Sequence, residues 1–209
     1  MGDTGTPFMP FVSDRFVTAV KEKKTSTTGD LYLNPGSLSD GDTVRFSPVG
    51  DASLDFYEIW GRTSEGKPKS LRFSEEPTNK ELDDRAADEG VTLIDQKGQP
   101  TRLKQALAFW VWDYATEKVR LFQASQVSIL DTLAALFSDE DVSADPGAWD
   151  FELNRTGTGM DTRYTVVLKP GKRKGAVAAQ VKAAWEECAA EGYNLSALLT
   201  GGDPTKMPF

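Results

Sequence analysis

Residues 106–124 restrict this chain more than any other stretch. Leu107, Phe109 and Val111 alternate with Ala108, Trp110 and Trp112, and after residues 113–118 Val119 and Leu121 alternate with Arg120 and Phe122. A period of two sends successive side chains to opposite faces of a strand, so the two runs predict a β-hairpin. Both faces of its first strand carry large side chains. Phe109 and Val111 are read as core. Trp110 and Trp112, on the other face, require a second partner, either a covering helix or a ligand.

The rest of the chain supplies further strands and a few helices. Residues 42–48 alternate Val44 and Phe46 with Thr43 and Arg45, which predicts a half-buried strand. A loop at Gly50 precedes a strand at 55–61, and Ser64-Glu65-Gly66 turns the chain into a third at 69–74. Strands at 149–155 and 162–168 flank the hairpin loop Thr156-Gly157-Thr158-Gly159-Met160-Asp161. Helices are predicted at 78–90, capped by Thr78 or Asn79, at 125–137, capped by Ser125, and at 176–191, stopped by Gly192. The second carries the apolar stripe Val127, Leu130, Leu133, Ala134 and Phe137. The order predicts a mainly β chain with peripheral α helices, a small antiparallel barrel or sandwich that an OB-like barrel fits best. Residues 1–30 are expected to form a flexible or helical arm, 31–170 the core, 171–200 a C-terminal helix and 201–209 a flexible tail.

Two absences exclude much chemistry. The 209 residues include no histidine and one cysteine, Cys188. Serine–histidine and cysteine–histidine nucleophiles, histidine general bases and Cys/His zinc sites are therefore excluded within one chain. The magnesium chemistry of a nuclease remains open to carboxylates such as Glu75, Glu76, Asp83 and Asp84, though a solvated acidic helix face accounts for them more simply. The expectation is a non-catalytic protein without cofactor or metal. No apolar run approaches the roughly 18 residues of a membrane span, and residues 1–11 do not read as a secretory signal. With a lone cysteine, this predicts a cytoplasmic protein with no membrane partner.

The net charge of −8 argues against a polyanionic ligand only if the charge is spread evenly. It is segregated. Residues 60–73 hold Arg62, Lys67, Lys69 and Arg72 against Glu65 alone, and Lys169, Lys172, Arg173 and Lys174 form a second basic group. Residues 75–89 hold seven acids against two bases, and 139–152 hold six acids and no base. Sequence-tolerant binding of a single strand needs cations for phosphates and flat rings on which bases stack. Trp60, with Tyr57 and Phe73 near it, supplies rings beside the first basic group. Trp110, Trp112 and Tyr164 are further candidate rings, and Arg120, Arg155 and Arg163 further candidate cations. The Gly157 and Gly159 loop offers backbone N–H groups to an anion, or is a plain turn.

Three stretches carry a family resemblance. They are Gly41-Asp42-Thr43-Val44-Arg45-Phe46 with Tyr57-Glu58-Ile59-Trp60; Phe109-Trp110-Val111-Trp112 with Lys118-Val119-Arg120-Leu121-Phe122; and Asp150-Phe151-Glu152-Leu153 running on through Thr156-Gly157-Thr158-Gly159-Met160-Asp161-Thr162-Arg163-Tyr164-Thr165-Val166. Their order is similar to that of the single-stranded DNA-binding, helix-destabilising proteins of tailed phages, over roughly residues 28–170. The resemblance implies an OB-fold core, a basic cleft with aromatic residues, no enzymatic activity, and a role protecting and organising single strands in phage replication, recombination and repair. The chain lacks the residues for the zinc ribbon of some members and the acidic tail of many. Its final Pro208 and Phe209 resemble the terminal Pro-Phe with which bacterial single-strand binding proteins dock to replication and repair enzymes. That implies a replication or recombination partner for these two residues. The competing expectation is a phage or host interaction adaptor without DNA affinity, its exposed aromatic rings forming the protein-binding patch.

Overall fold

The structure is a computed structural model that describes residues 31–171 and 176–206. The chain divides into residues Met1–Asp30 and Leu31–Phe209, and the described residues all belong to the second unit. The expected N-terminal arm lies outside them.

The chain is mainly β, with one mixed sheet of eight strands and a few helices. Its strands are β1 (Tyr32–Leu33), β2 (Thr43–Thr63), β3 (Pro68–Phe73), β4 (Val91–Thr92), β5 (Lys104–Asp113), β6 (Lys118–Ala124), β7 (Trp149–Thr156) and β8 (Arg163–Pro170). The path runs β1-β6-β5-β2-β7-β8, with β3 and β4 also on β2, and the sheet is not closed. The helices are α1 (Asn79–Asp88), α2 (Val127–Phe137), α3 (Glu140–Ala144) and α4 (Ala176–Ala190).

The strands expected at 42–48 and 55–61 are two halves of β2. The Gly50 loop between them is instead a bulge, where the pairing with β5 shifts between Pro48 and Ser53. Gly50 permits it with φ of 74°, and its bare Cα lets the Trp185 ring approach. β5 pairs with β2 on both sides of the bulge. The opposite edge of β2 is shared: residues 43–46 pair with β7, and residues 57–62 pair with β3. A bulged strand bends and twists. One strand thereby joins the β7–β8 hairpin to the β3 end of the molecule.

Apolar side chains leave both sheet faces, so both need cover. On one, Phe46 stacks on Phe122 at 4.9 Å and on Phe151 at 5.9 Å, beneath Ile129 and Leu133 of α2. On the other, Phe56, Trp110, Trp112 and Leu121 pack beneath Val181 of α4 and beneath Leu195 and Leu198 of a 3-10 segment, Leu195–Thr200. A smaller cluster of Ile59, Leu71, Ala86 and Val91 seats α1.

Capping residues explain two further details. Of the two expected caps of α1, Thr78 is the one used, and it forms a reciprocal capping box with Glu81. The expected Ser125 cap is not used. Gln126 holds the cap position of α2 without a side-chain bond. Residues 201–206 of the expected free tail are not free. The Asn194 N–H donates to the Pro204 carbonyl at 2.8 Å and Pro204 is buried, so residues 201–206 fold back on the domain.

Candidate nucleic-acid interface

Strand register decides which of the predicted residues share a surface. Glu58, Trp60 and Arg62 of β2 stand opposite Arg72, Ser70 and Pro68 of β3, and Glu58 stands opposite Lys104 of β5. Residues directly opposite on paired strands lie on one face. Trp60, Arg62, Ser70 and Lys104 therefore share the face that α4 and the 3-10 segment cover further along. At this end the face is uncovered. Trp60 is 44% exposed, and among the described residues it is the one large aromatic that stands out of the surface. The Thr101 hydroxyl donates to its carbonyl at 2.5 Å, fixing the backbone beneath the ring.

The cations around Trp60 differ in freedom. Arg62 lies half-buried, donating to the Gly66 and Asp95 carbonyls, so its guanidinium is held at the hairpin end. Lys67 is exposed and pairs with Glu65 at 2.7 Å. Lys104 and Arg102 are exposed. Sequence reasoning missed both because it began the strand at residue 106. Carrying its alternation back by two residues places Lys104 on the Trp110 and Trp112 face.

The other predicted residues are placed elsewhere. Tyr57 and Phe73 oppose each other on the reverse face, as does Lys69, which stands opposite Gly61 and pairs with Glu89 at 3.0 Å. Burial opposes charge on Glu89, but its bonds from Arg85 and Lys69 hold its carboxyl below the usual range. Trp110 and Trp112 are each 2% exposed; of the two partners left open for them, they meet the covering helix.

Three arginines expected at phosphates are structural instead. Arg72 lies over Phe56, 5.5 Å from the ring centre, and donates to the Leu198 carbonyl at 3.2 Å. Arg120 pairs with buried Asp113 at 2.9 Å and donates to the Tyr32 carbonyl. Arg155 donates to the Gly36 and Leu38 carbonyls and sits over the half-buried Tyr164 ring. Charge alone cannot separate such arginines from surface ones: Arg72 has a buried acid, Glu58, directly opposite, Arg120 has Asp113 two residues along the facing strand, and Arg155 has backbone carbonyls instead.

Arg163 is exposed, but on β8, which pairs with β7 and not with the β2–β3 pair that carries Trp60. The glycine loop is a turn. The Gly157 N–H already donates to the Asp40 carboxylate at 2.7 Å. Glu75, Glu76, Asp83 and Asp84 are exposed, and among the described residues no acid, cysteine or histidine group is arranged to hold a metal. No described helix is long and apolar enough to cross a membrane. Pro208, Phe209 and Lys172, Arg173 and Lys174 lie outside the described residues.

Compared with known protein families, with curated proteins and with solved structures, the chain matches none.

Proposed function

We propose that this chain is a non-catalytic protein that binds single-stranded DNA without sequence preference and protects it during phage replication, recombination and repair. The observation that carries the reading is Trp60, an exposed ring on a sheet face that it shares with Arg62 and the exposed Lys104, with exposed Arg102 next to the Thr101 that bonds its carbonyl. A ring stacks on any base, and the cations meet the phosphates on either side, so neither contact reads sequence. Duplex DNA offers the phosphates but not the unpaired base, and it binds more weakly. The strongly bulged β2, shared between two sets of partner strands, is in keeping with an OB-like ancestry of the sheet, which belongs to this proposal. So does action in the host cytoplasm.

Titration of a fluorescent oligothymidine at two salt concentrations, against a duplex of equal length, tests the reading. Single-strand binding that weakens steeply with salt supports it. Duplex binding of equal strength, or no salt dependence, overturns it and favours the protein-interaction adaptor. Pro208 and Phe209 are proposed to recruit a replication or recombination enzyme. A chain lacking these two residues then keeps its DNA affinity and loses that enzyme in a pull-down.

A further inference from the structure

The β2 bulge opens a cleft that single-strand binding does not use. The cleft has a volume of about 550 Å³ and lies between residues 48–53 and residues 143–147, the end of α3 and the turn after it. Roughly 300–1,000 Å³ is the usual range of small-ligand pockets. Its floor is apolar: Phe109 and Phe137 meet edge to face at 6.0 Å, flanked by Val49 and Pro146. Its rim is polar and of one sign. Asp51 and Asp145 are exposed on opposite walls, Ser53 and Ser143 stand near them, and among the described residues no lysine or arginine lines it. Asp139, Glu140 and Asp141 extend the negative field along the adjoining chain.

We propose that this cleft docks an arginine side chain from a basic peptide segment of a partner protein. The occupant follows from charge complementarity and shape together. A guanidinium lies flat on aromatic rings and forks its N–H groups toward carboxylates, while its aliphatic stem covers apolar surface. The Phe109 and Phe137 floor and the two aspartates present those three requirements in one place. A phosphate-bearing strand is repelled by the same rim. The cleft is lined by none of the residues around Trp60, so the inference stands or falls independently of DNA binding.

The test uses the full chain labelled with ¹⁵N and the peptide acetyl-Gly-Ser-Arg-Gly-Ser-amide, with norleucine in place of arginine as its control. The expected result is saturable shift changes at residues 48–53 and 143–147 with the arginine peptide only, weakened at least fivefold in the Asp51→Asn, Asp145→Asn double variant. Both aspartates are exposed, so the variant keeps its fold, which its unperturbed spectrum elsewhere verifies. Equal shifts from the norleucine peptide, undiminished binding by the double variant, or shifts as large along α1's acidic face would each overturn the proposal. So would oligothymidine shifting the cleft residues, which would make it a base pocket.

Discussion

Arg72 stands directly opposite Glu58 across β2 and β3, with its Nε 3.8 Å from the Glu58 carboxylate and both side chains nearly closed to solvent. The Gln123 amide donates to the same carboxylate at 3.1 Å, and Arg72 also reaches the Leu198 carbonyl. A cation in a basic stretch of sequence is thus committed to joining β2, β3, β6 and the 3-10 segment.

Arg72→Ala leaves the Glu58 charge buried without its cation. Unfolding in urea is expected to show a loss of about 3 kcal/mol, the lower end of what breaking a buried pair costs. The salt slope of oligonucleotide binding is expected to stay as it is. A slope lowered by one unit at unchanged stability would return Arg72 to the phosphate contacts.

Trp60 and Trp110 share a strand face but not a role. Trp60→Ala is expected to lower oligothymidine affinity by about 1–3 kcal/mol, the cost of losing a stacked base, with stability altered by no more than about 0.5 kcal/mol. Trp110→Ala empties a site against Trp185 and Tyr193, where truncation costs about 3–5 kcal/mol of stability. Binding titrations and urea curves on both variants separate the two.

Lys104→Ala is expected to reduce the salt slope of single-strand binding by about one unit, since one phosphate contact is lost. Arg120→Ala removes the cation from buried Asp113, which keeps its bonds from Ala115 and Thr116, and lowers the unfolding midpoint instead. If the Lys104 variant keeps the full slope, the strand does not pass that side of Trp60.

Burial, helped by Cys188 and by the Glu191 and Asp203 carboxylates, pushes the Tyr193 hydroxyl from 10.0 up to about 12. The folded state therefore favours the neutral phenol. That stabilisation is complete below pH 10 and is lost as the pH rises from 10 toward 12. Burial pushes the Tyr32 hydroxyl the same way, so Tyr193→Phe removes part of the alkaline decline. Identical stability profiles for wild type and variant between pH 9 and 12 would exclude Tyr193 as a contributor.

Gly157 has φ of 76°, and a Cβ there would lie 2.2 Å from the Asp161 carbonyl oxygen. Gly157→Ala is expected to cost more than about 1 kcal/mol, because the new methyl meets backbone that cannot rotate away. A thermal midpoint equal to wild type would show that the loop has another conformation open to it.

The sequence by itself determined the elements whose cause is local. Alternation placed β5 and β6 and assigned Phe109 and Val111 to a core; the glycine-rich loop at 156–161 placed β7 and β8 on either side of it; Thr78 or Asn79 marked the start of α1 because a cap acts within a few residues. It also determined that Trp60 lies among cations. Tertiary structure decided what depends on partners distant in sequence. Residues 42–48 and 55–61 became one bulged strand because β5 pairs with both halves, a choice that Gly50 permits but does not announce. Trp110 and Trp112 became core because α4 and the Leu195–Thr200 segment fold over them from some 70 residues away. Arg72, Arg120 and Arg155 are held by buried acids and carbonyls that the fold, not composition, brings beside them. A strand pattern states that two faces exist. Only packing states which of them remains open to a ligand.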